Sequence, residues 1–141
     1  MEHSQQTFKL SVPSDTVNLA MIRDFVEDSA RRSPLDEPGM QKLTLAVDEA
    51  CANVIEHAYN NDNTREITVH VWFDDAQIGV DVIDSGSSFD PTSHKPLELK
   101  DLVGRKGGMG IRIMQLATDE LVVDTDENGY NRLRLIKRLA K

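Results

Sequence analysis

Two short alternating runs constrain this chain more than any other feature. Ile67, Val69, Val71 and Phe73 alternate with Glu66, Thr68, His70 and Trp72; after a break at Asp74-Asp75 come Ile78, Val80 and Val82. A period of two puts the aliphatic residues of each run on one face, so the pair predicts a half-buried hairpin. A sheet buried on one face needs a second layer, and helices are the usual cover. The 141 residues are 39% hydrophobic but only 5% aromatic, so the core beneath that sheet must be aliphatic. The length suits about one domain, and no internal repeat or long linker divides it.

The flanking segments supply the rest of such a fold. Thr7–Val12 alternates Phe8, Leu10 and Val12 with polar residues and reads as a strand. Pro13 ends it, and Ser14 or Asp15 can cap a helix that turns Val17, Met21, Ile22, Phe25 and Val26 inward. Ser33-Pro34 stops that helix, since a proline disfavours helical geometry in the residue before it. A second helix is predicted from about Glu37 to Tyr59, with the apolar stripe Leu43, Val47, Ala50, Val54 and Ala58. Asn60 to Asn63 form a turn. Beyond the hairpin, Ser85 to Gly108 has little periodicity and reads as a long loop punctuated by Pro91, Pro96, Gly86 and Gly104. Ile111–Ala117 is predicted as a helix, and Leu121–Val123 with Tyr130–Ile136 as a last hairpin turning at Glu127-Asn128-Gly129. The expectation is an α+β fold: two layers, with helices on one face of a mainly antiparallel sheet.

Charge and composition exclude several functions. With 16 basic and 24 acidic residues the net charge is −8, the wrong sign for gripping a nucleic-acid backbone. The single cysteine, Cys51, forbids an internal disulfide and a cysteine zinc site, and its place beside the second helix's apolar stripe suits the core. No apolar run reaches the ~18 residues of a membrane span, and Met1–Lys9 holds no signal-peptide core. The expectation is a soluble, cytoplasmic, single-domain protein.

Three places depart from plain structural patterning. On the second helix Glu49, Asn53 and His57 recur every four residues, a polar stripe bordering the core. A carboxylate, an amide and an imidazole there could hold a hydrated cation or handle a proton, or could be an ordinary solvated flank. Asp84-Ser85-Gly86 follows the apolar strand Ile78–Ile83. It suits recognition of a ligand's polar edge, or is a common Asp-x-Gly turn. The run Gly104-Arg105-Lys106-Gly107-Gly108-Met109-Gly110 leads straight into the third helix. Bare backbone N–H groups, a helix N-terminus and two cations make a phosphate cradle, where the alternative is a flexible hinge. It is neither a P-loop nor a Rossmann turn, for no Gly-Lys-Ser/Thr follows and no strand leads directly in.

In this order and spacing the three segments resemble the ATP-binding module shared by gyrase, histidine kinases and MutL. Glu49-x-x-x-Asn53-x-x-x-His57 looks like its N box, Asp84-x-Gly86 like its first glycine box, and Gly108-Met109-Gly110 like its second. The run from Asp84 through Ser87, Ser88 and Phe89 to Asp90, with the single-domain length, is similar to the bacterial anti-sigma factor serine kinases. Ser88 stands where the wider superfamily often has a further glycine, which suits those kinases better than gyrase.

The resemblance covers roughly Phe8 to Ile136 and implies a Bergerat-type fold using ATP and Mg²⁺. By it, Glu49 is the catalytic base, Asn53 the magnesium ligand, and Asp84 the carboxylate that accepts from the adenine amino group. Gly86 lies beside the adenine, and Gly107, Gly108, Met109 and Gly110 wrap the triphosphate, with Arg105 or Lys106 at the terminal phosphate. His57 fits the pattern with no assigned step. Implied partners are a STAS-domain anti-sigma factor antagonist, which is phosphorylated, and a sigma factor, which is held inactive, around a homodimer. The segment Phe89 to Gly107 is expected to act as a lid. The alternatives are a module that binds ATP without transferring phosphate, and a detached sensor-kinase domain acting on a histidine protein.

Overall fold

The structure, a computed structural model, describes residues 5–86 and 108–139, with side chains in the third helix from Gly110 onward. Its elements are β1 (Gln6–Pro13), a 3₁₀ turn (Thr16–Asn18), α1 (Leu19–Ala30), α2 (Glu37–Asn53), a π turn (Val54–Ala58), β2 (Glu66–Phe73), β3 (Gln77–Asp84), α3 (Gly108–Ala117), β4 (Glu120–Thr125) and β5 (Asn131–Arg138). The strands form one sheet in the order β1-β2-β3-β5-β4, every neighbouring pair antiparallel.

Register explains why the alternating runs matter. Val69 lies opposite Val82 and Val71 opposite Val80, which in turn faces Leu135 across β3 and β5. This gives one aliphatic stripe on a single face. Ile22 and Val26 of α1, Leu43 and Val47 of α2, and Met114 of α3 join it in one core cluster. Each such side chain contributes about 1.5–3 kcal/mol on full burial. Asp36 caps α2, its Oδ1 accepting from the Gly39 N–H at 2.8 Å, with Pro38 in the first turn.

Two expectations fail, each for a local reason. Val17 and Met21 are predicted inward but are 78% and 51% exposed. The Asp15 carboxylate accepts from the Val17 N–H at 3.0 Å and sets up a 3₁₀ turn, so Val17 lies ahead of the helix proper. Within α1 the buried set is Ile22, Val26, Ser29 and Ala30, and Met21 lies about 100° round from Ile22. The predicted continuous helix to Tyr59 stops being α-helical after Asn53. There the Tyr59 N–H donates to the Val54 carbonyl at 2.9 Å, five residues back, and the chain leaves through Asn60 and Asn61 at φ 51° and 62°. Asparagine tolerates that left-handed backbone better than most residues.

The far face of the sheet carries an ion pair between a buried aspartate and a half-buried arginine. Asp81 of β3 takes both bonds of the Arg134 guanidinium, at 2.7 and 2.9 Å, and a third from the Trp72 indole N–H at 3.3 Å. Arg134 also lies 5.2 Å from the Trp72 ring centre, and His70 Nδ1 stands 3.8 Å from the same carboxylate. His70 belongs to the framework of this face.

Candidate functional site

The site is assembled where α2, α3 and the end of β3 meet. Glu49 and Asn53 project from the last turns of α2, both half-buried. The first turn of α3 is Gly108-Met109-Gly110. Ile111 and Met114 anchor that helix in the core, which fixes where its N-terminus points. Gly110 is buried against the N-box side chains. A Cβ at that position would lie 2.9 Å from Glu49 Oε2 and 3.6 Å from Asn53 Nδ2. The glycine is therefore what lets the positive end of α3 approach a carboxylate and an amide closely.

The Asp84-Ser85-Gly86 turn closes the site from the sheet side. Asp84 is only 7% exposed, and its Oδ1 accepts from the Gly86 N–H at 2.8 Å and from Asn131 Nδ2 at 2.9 Å. Two donors thus meet one oxygen of this buried carboxylate. Gly86 has no room for a side chain: a Cβ would sit 2.7 Å from the Ala58 carbonyl oxygen and 2.8 Å from the Ala58 Cβ. The turn thus packs directly on the π turn that continues α2. Two glycines, 86 and 110, dock a turn and a helix start onto one helix.

Asn131 is a site residue that sequence patterning passed over. It opens β5 directly opposite Asp84, and it is buried. Among the aliphatic and basic residues of β5 its amide offers no pattern, and only the register opposite Asp84 marks it. Of the other candidates, His57 is half-buried with Nε2 3.8 Å from Glu56 Oε2. Arg105, Lys106 and Gly107, with the whole expected lid, lie outside the described residues. Cys51 is fully buried in α2, and desolvation, helped by the Asp48 charge, pushes its thiol well up; it is a packing residue.

Among the described residues no three His, Cys, Asp or Glu side chains gather as a metal cluster. The oxygen donors offered at the site are the Glu49 carboxylate and the Asn53 amide. That set fits a hard cation that keeps most of its ligands as water and phosphate, the habit of Mg²⁺. No helix among the described residues is long and apolar enough to cross a membrane.

A two-layer α+β fold, with the first turn of α3 packed on a Glu-Asn pair and a buried aspartate at the adjoining strand end, is what the resemblance to the histidine kinase-like ATP-binding class implies. The sequence agrees: residues 12–137 match the histidine kinase-like ATPase domain family, and the chain belongs to it. Within that class it is a member of the bacterial anti-sigma factor serine/threonine-protein kinases. It is 27% identical over 133 residues to the serine-protein kinase RsbW of Bacillus velezensis, covering 89% of this chain and 82% of that one. The RsbW of Bacillus subtilis is 27% identical over 130 residues, with 87% and 81% covered. The anti-sigma F factor of Geobacillus kaustophilus is 31% identical over 110 residues, with 74% and 75% covered. In three dimensions the chain superposes on a crystal structure of the RsbU and RsbW domains of a Mycobacterium tuberculosis protein with a TM-score of 0.68 at 16% identity. That match takes in 96% of this chain but 33% of the other, so it speaks for the fold alone.

Proposed function

We propose that this kinase binds ATP with Mg²⁺ between α2 and α3 and transfers the γ-phosphoryl group to a serine of a STAS-type anti-sigma factor antagonist. The observation that carries the reading is the approach of Gly110 to Glu49 and Asn53, which sets a carboxylate and an amide against the first turn of a helix. Phosphoryl transfer asks mainly for positioning and charge stabilisation, with a base to take the hydroxyl proton. Asp84 accepts from the adenine amino group, held by Gly86 and Asn131. Gly86, with no side chain, lets the turn that carries Asp84 pack directly on the π turn. Glu49 receives the proton of the attacking serine hydroxyl. The α3 N-terminus, with Gly108, Met109 and Gly110, cradles the phosphates, and Arg105 and Lys106 join them at the terminal phosphate. Asn53 is the protein ligand of Mg²⁺, which when bound supplies positive charge to the phosphate oxygens.

The names of the relatives, serine-protein kinase and anti-sigma F factor, support a partner switch. In it the protein, as a homodimer in the cytoplasm, holds a sigma factor and gives it up when unphosphorylated antagonist competes. Incubation with γ-labelled ATP and candidate antagonists encoded nearby, followed by phosphosite mapping, tests the reading. An acid-stable phosphoserine is expected. An acid-labile phosphohistidine, or nucleotide binding with no transfer to any antagonist, overturns it in favour of a sensor-kinase domain or a binding module. The presence of Glu49, which binding alone does not need, speaks for transfer.

A further inference from the structure

The residue that ends the π turn reaches across to the adenine-side turn. Tyr59 is 4% exposed, and its hydroxyl makes two short bonds. It donates to the Glu66 carbonyl at 2.6 Å, at the start of β2, and accepts from the Ser85 N–H at 2.9 Å. The other face of the same residue is held by Arg65. Its Nη2 donates to the Ser85 carbonyl oxygen at 2.7 Å, while its guanidinium lies 5.2 Å from the Tyr59 ring centre. Both backbone groups of Ser85 are thus gripped by side chains from one neighbouring loop. Ser85 stands between Asp84 and Gly86, and its own side chain is at most a weak partner, 3.4 Å from the Tyr59 hydroxyl.

We infer that Tyr59 and Arg65 are positioning residues for nucleotide selection: by clamping the Ser85 peptide groups they fix the direction in which Asp84 presents its carboxylate to the base. The inference rests on the reading of Asp84 as the adenine acceptor. The chemistry behind it is simple. A backbone free to rock about Ser85 carries the Asp84 carboxylate and the Gly86 N–H with it, since Gly86 is bonded to Asp84 Oδ1. Hydrogen-bond strength falls steeply with angle. A clamp on the turn therefore acts on the bond to the exocyclic amino group, and leaves untouched the contacts made by the phosphates at α3. A ligand without that amino group has nothing to lose when the clamp is removed.

The test uses the full chain in calorimetric titrations with ATP and with purine riboside triphosphate, which lacks the amino group. The wild type is expected to bind ATP the more tightly of the two. Tyr59→Phe keeps the buried ring and removes only the hydroxyl. It is expected to weaken ATP about 3- to 10-fold, the worth of one net hydrogen bond, and to change the purine riboside triphosphate affinity less than 1.5-fold. Arg65→Ala, an exposed position that leaves the core alone, is expected to act in the same direction. Equal weakening of both triphosphates by Tyr59→Phe would show a merely structural tyrosine and overturn the inference. So would unchanged ATP affinity in both variants. A wild type that binds the two triphosphates equally refutes something different, the assignment of Asp84 to adenine itself.

Discussion

Replacing Gly110 by alanine separates stability from catalysis, because the two should move in opposite directions. The new Cβ would stand 2.9 Å from Glu49 Oε2, where ordinary contact begins at 3.4 Å. The carboxylate must therefore give way by about 0.5 Å. It is the free end of a flexible side chain, so the fold has little difficulty in yielding. Alanine in place of glycine near a helix start is itself favourable, by up to about 1 kcal/mol. The variant should unfold at the same temperature as the wild type or slightly higher. Transfer is less forgiving, for a misplacement of about 1 Å can cost ~10²-fold in rate. Half that displacement of the base should lower kcat on the order of 10-fold. Two assays decide it: thermal unfolding by circular dichroism, and labelled-phosphate transfer to the antagonist at saturating ATP, with Glu49→Gln as the reference. A Gly110→Ala enzyme that turns over at the wild-type rate would refute the claim that Glu49 is the base and that Gly110 gives it room.

The other expected outcomes concern single groups. Asp84→Asn should abolish ATP binding with the fold intact, and the wild type should discriminate against GTP by up to ~10⁴-fold, because guanine presents a carbonyl where adenine has its amino group; equal ATP and GTP titrations would count against it. Glu49→Gln should still bind nucleotide while losing ~10²–10⁴ in transfer rate, whereas Asn53→Ala should erase the Mg²⁺-dependent part of ATP affinity. Gly79→Ala would put a Cβ 2.1 Å from Trp72 Cζ2, against a ring held by Asp81 and Arg134, so denaturant titration should show a loss of about 1–3 kcal/mol. Burial raises the Cys51 thiol, so iodoacetamide at pH 8 should leave the native protein unmodified and label it only after unfolding; labelling of the native protein at the rate of a free thiol would contradict the burial.

The order of elements could be read because each rests on short-range chemistry. Alternation places the buried face of β2 and β3 without knowledge of their partners, and Asp36 with Pro38 marks the start of α2. On spacing alone Glu49, Asn53 and Asp84 also suit a solvated flank and a common turn, and it is the resemblance to the ATP-binding module that joins them with Gly110. What escaped is partly local and partly a matter of contacts far apart in the chain. Val17 and Met21 fit a helical stripe, yet the Asp15 cap sets Val17 in a 3₁₀ turn ahead of α1, and Met21 lies round the helix from the buried Ile22. Asn131 is an ordinary strand residue until β5 is set beside β3, and only that register brings it to Asp84, 47 positions away. Arg65 lies in a polar turn that offers no pattern at all, and its role exists only through Ser85.

The π turn is the clearest case of tertiary demand overriding local preference, and it accounts for the geometry of the site. At about 100° a residue, an unbroken α-helix carries Tyr59 roughly 120° round from Val47, to the edge of the buried stripe. A turn closed five residues back instead of four spreads the same residues over less rotation, and Tyr59 swings in over the core. The buried set bears this out: Ile55, Ala58 and Tyr59 are inside, while Val54, which the α-helical stripe placed at its centre, is only partly covered. Poorer backbone geometry over one turn is offset by burying an isoleucine and an aromatic ring, each worth a few kcal/mol at about 25 cal/mol per Å². The rotation also carries the tyrosine hydroxyl to the Ser85 N–H and sets Ala58 against Gly86. Glu49 and Asn53, placed before the irregular turn, keep the regular helix that faces α3. One helix thus serves two neighbours, its α-helical part meeting the first turn of α3 and its π turn the Asp84–Gly86 turn, and the change of pitch just after Asn53 is what allows both.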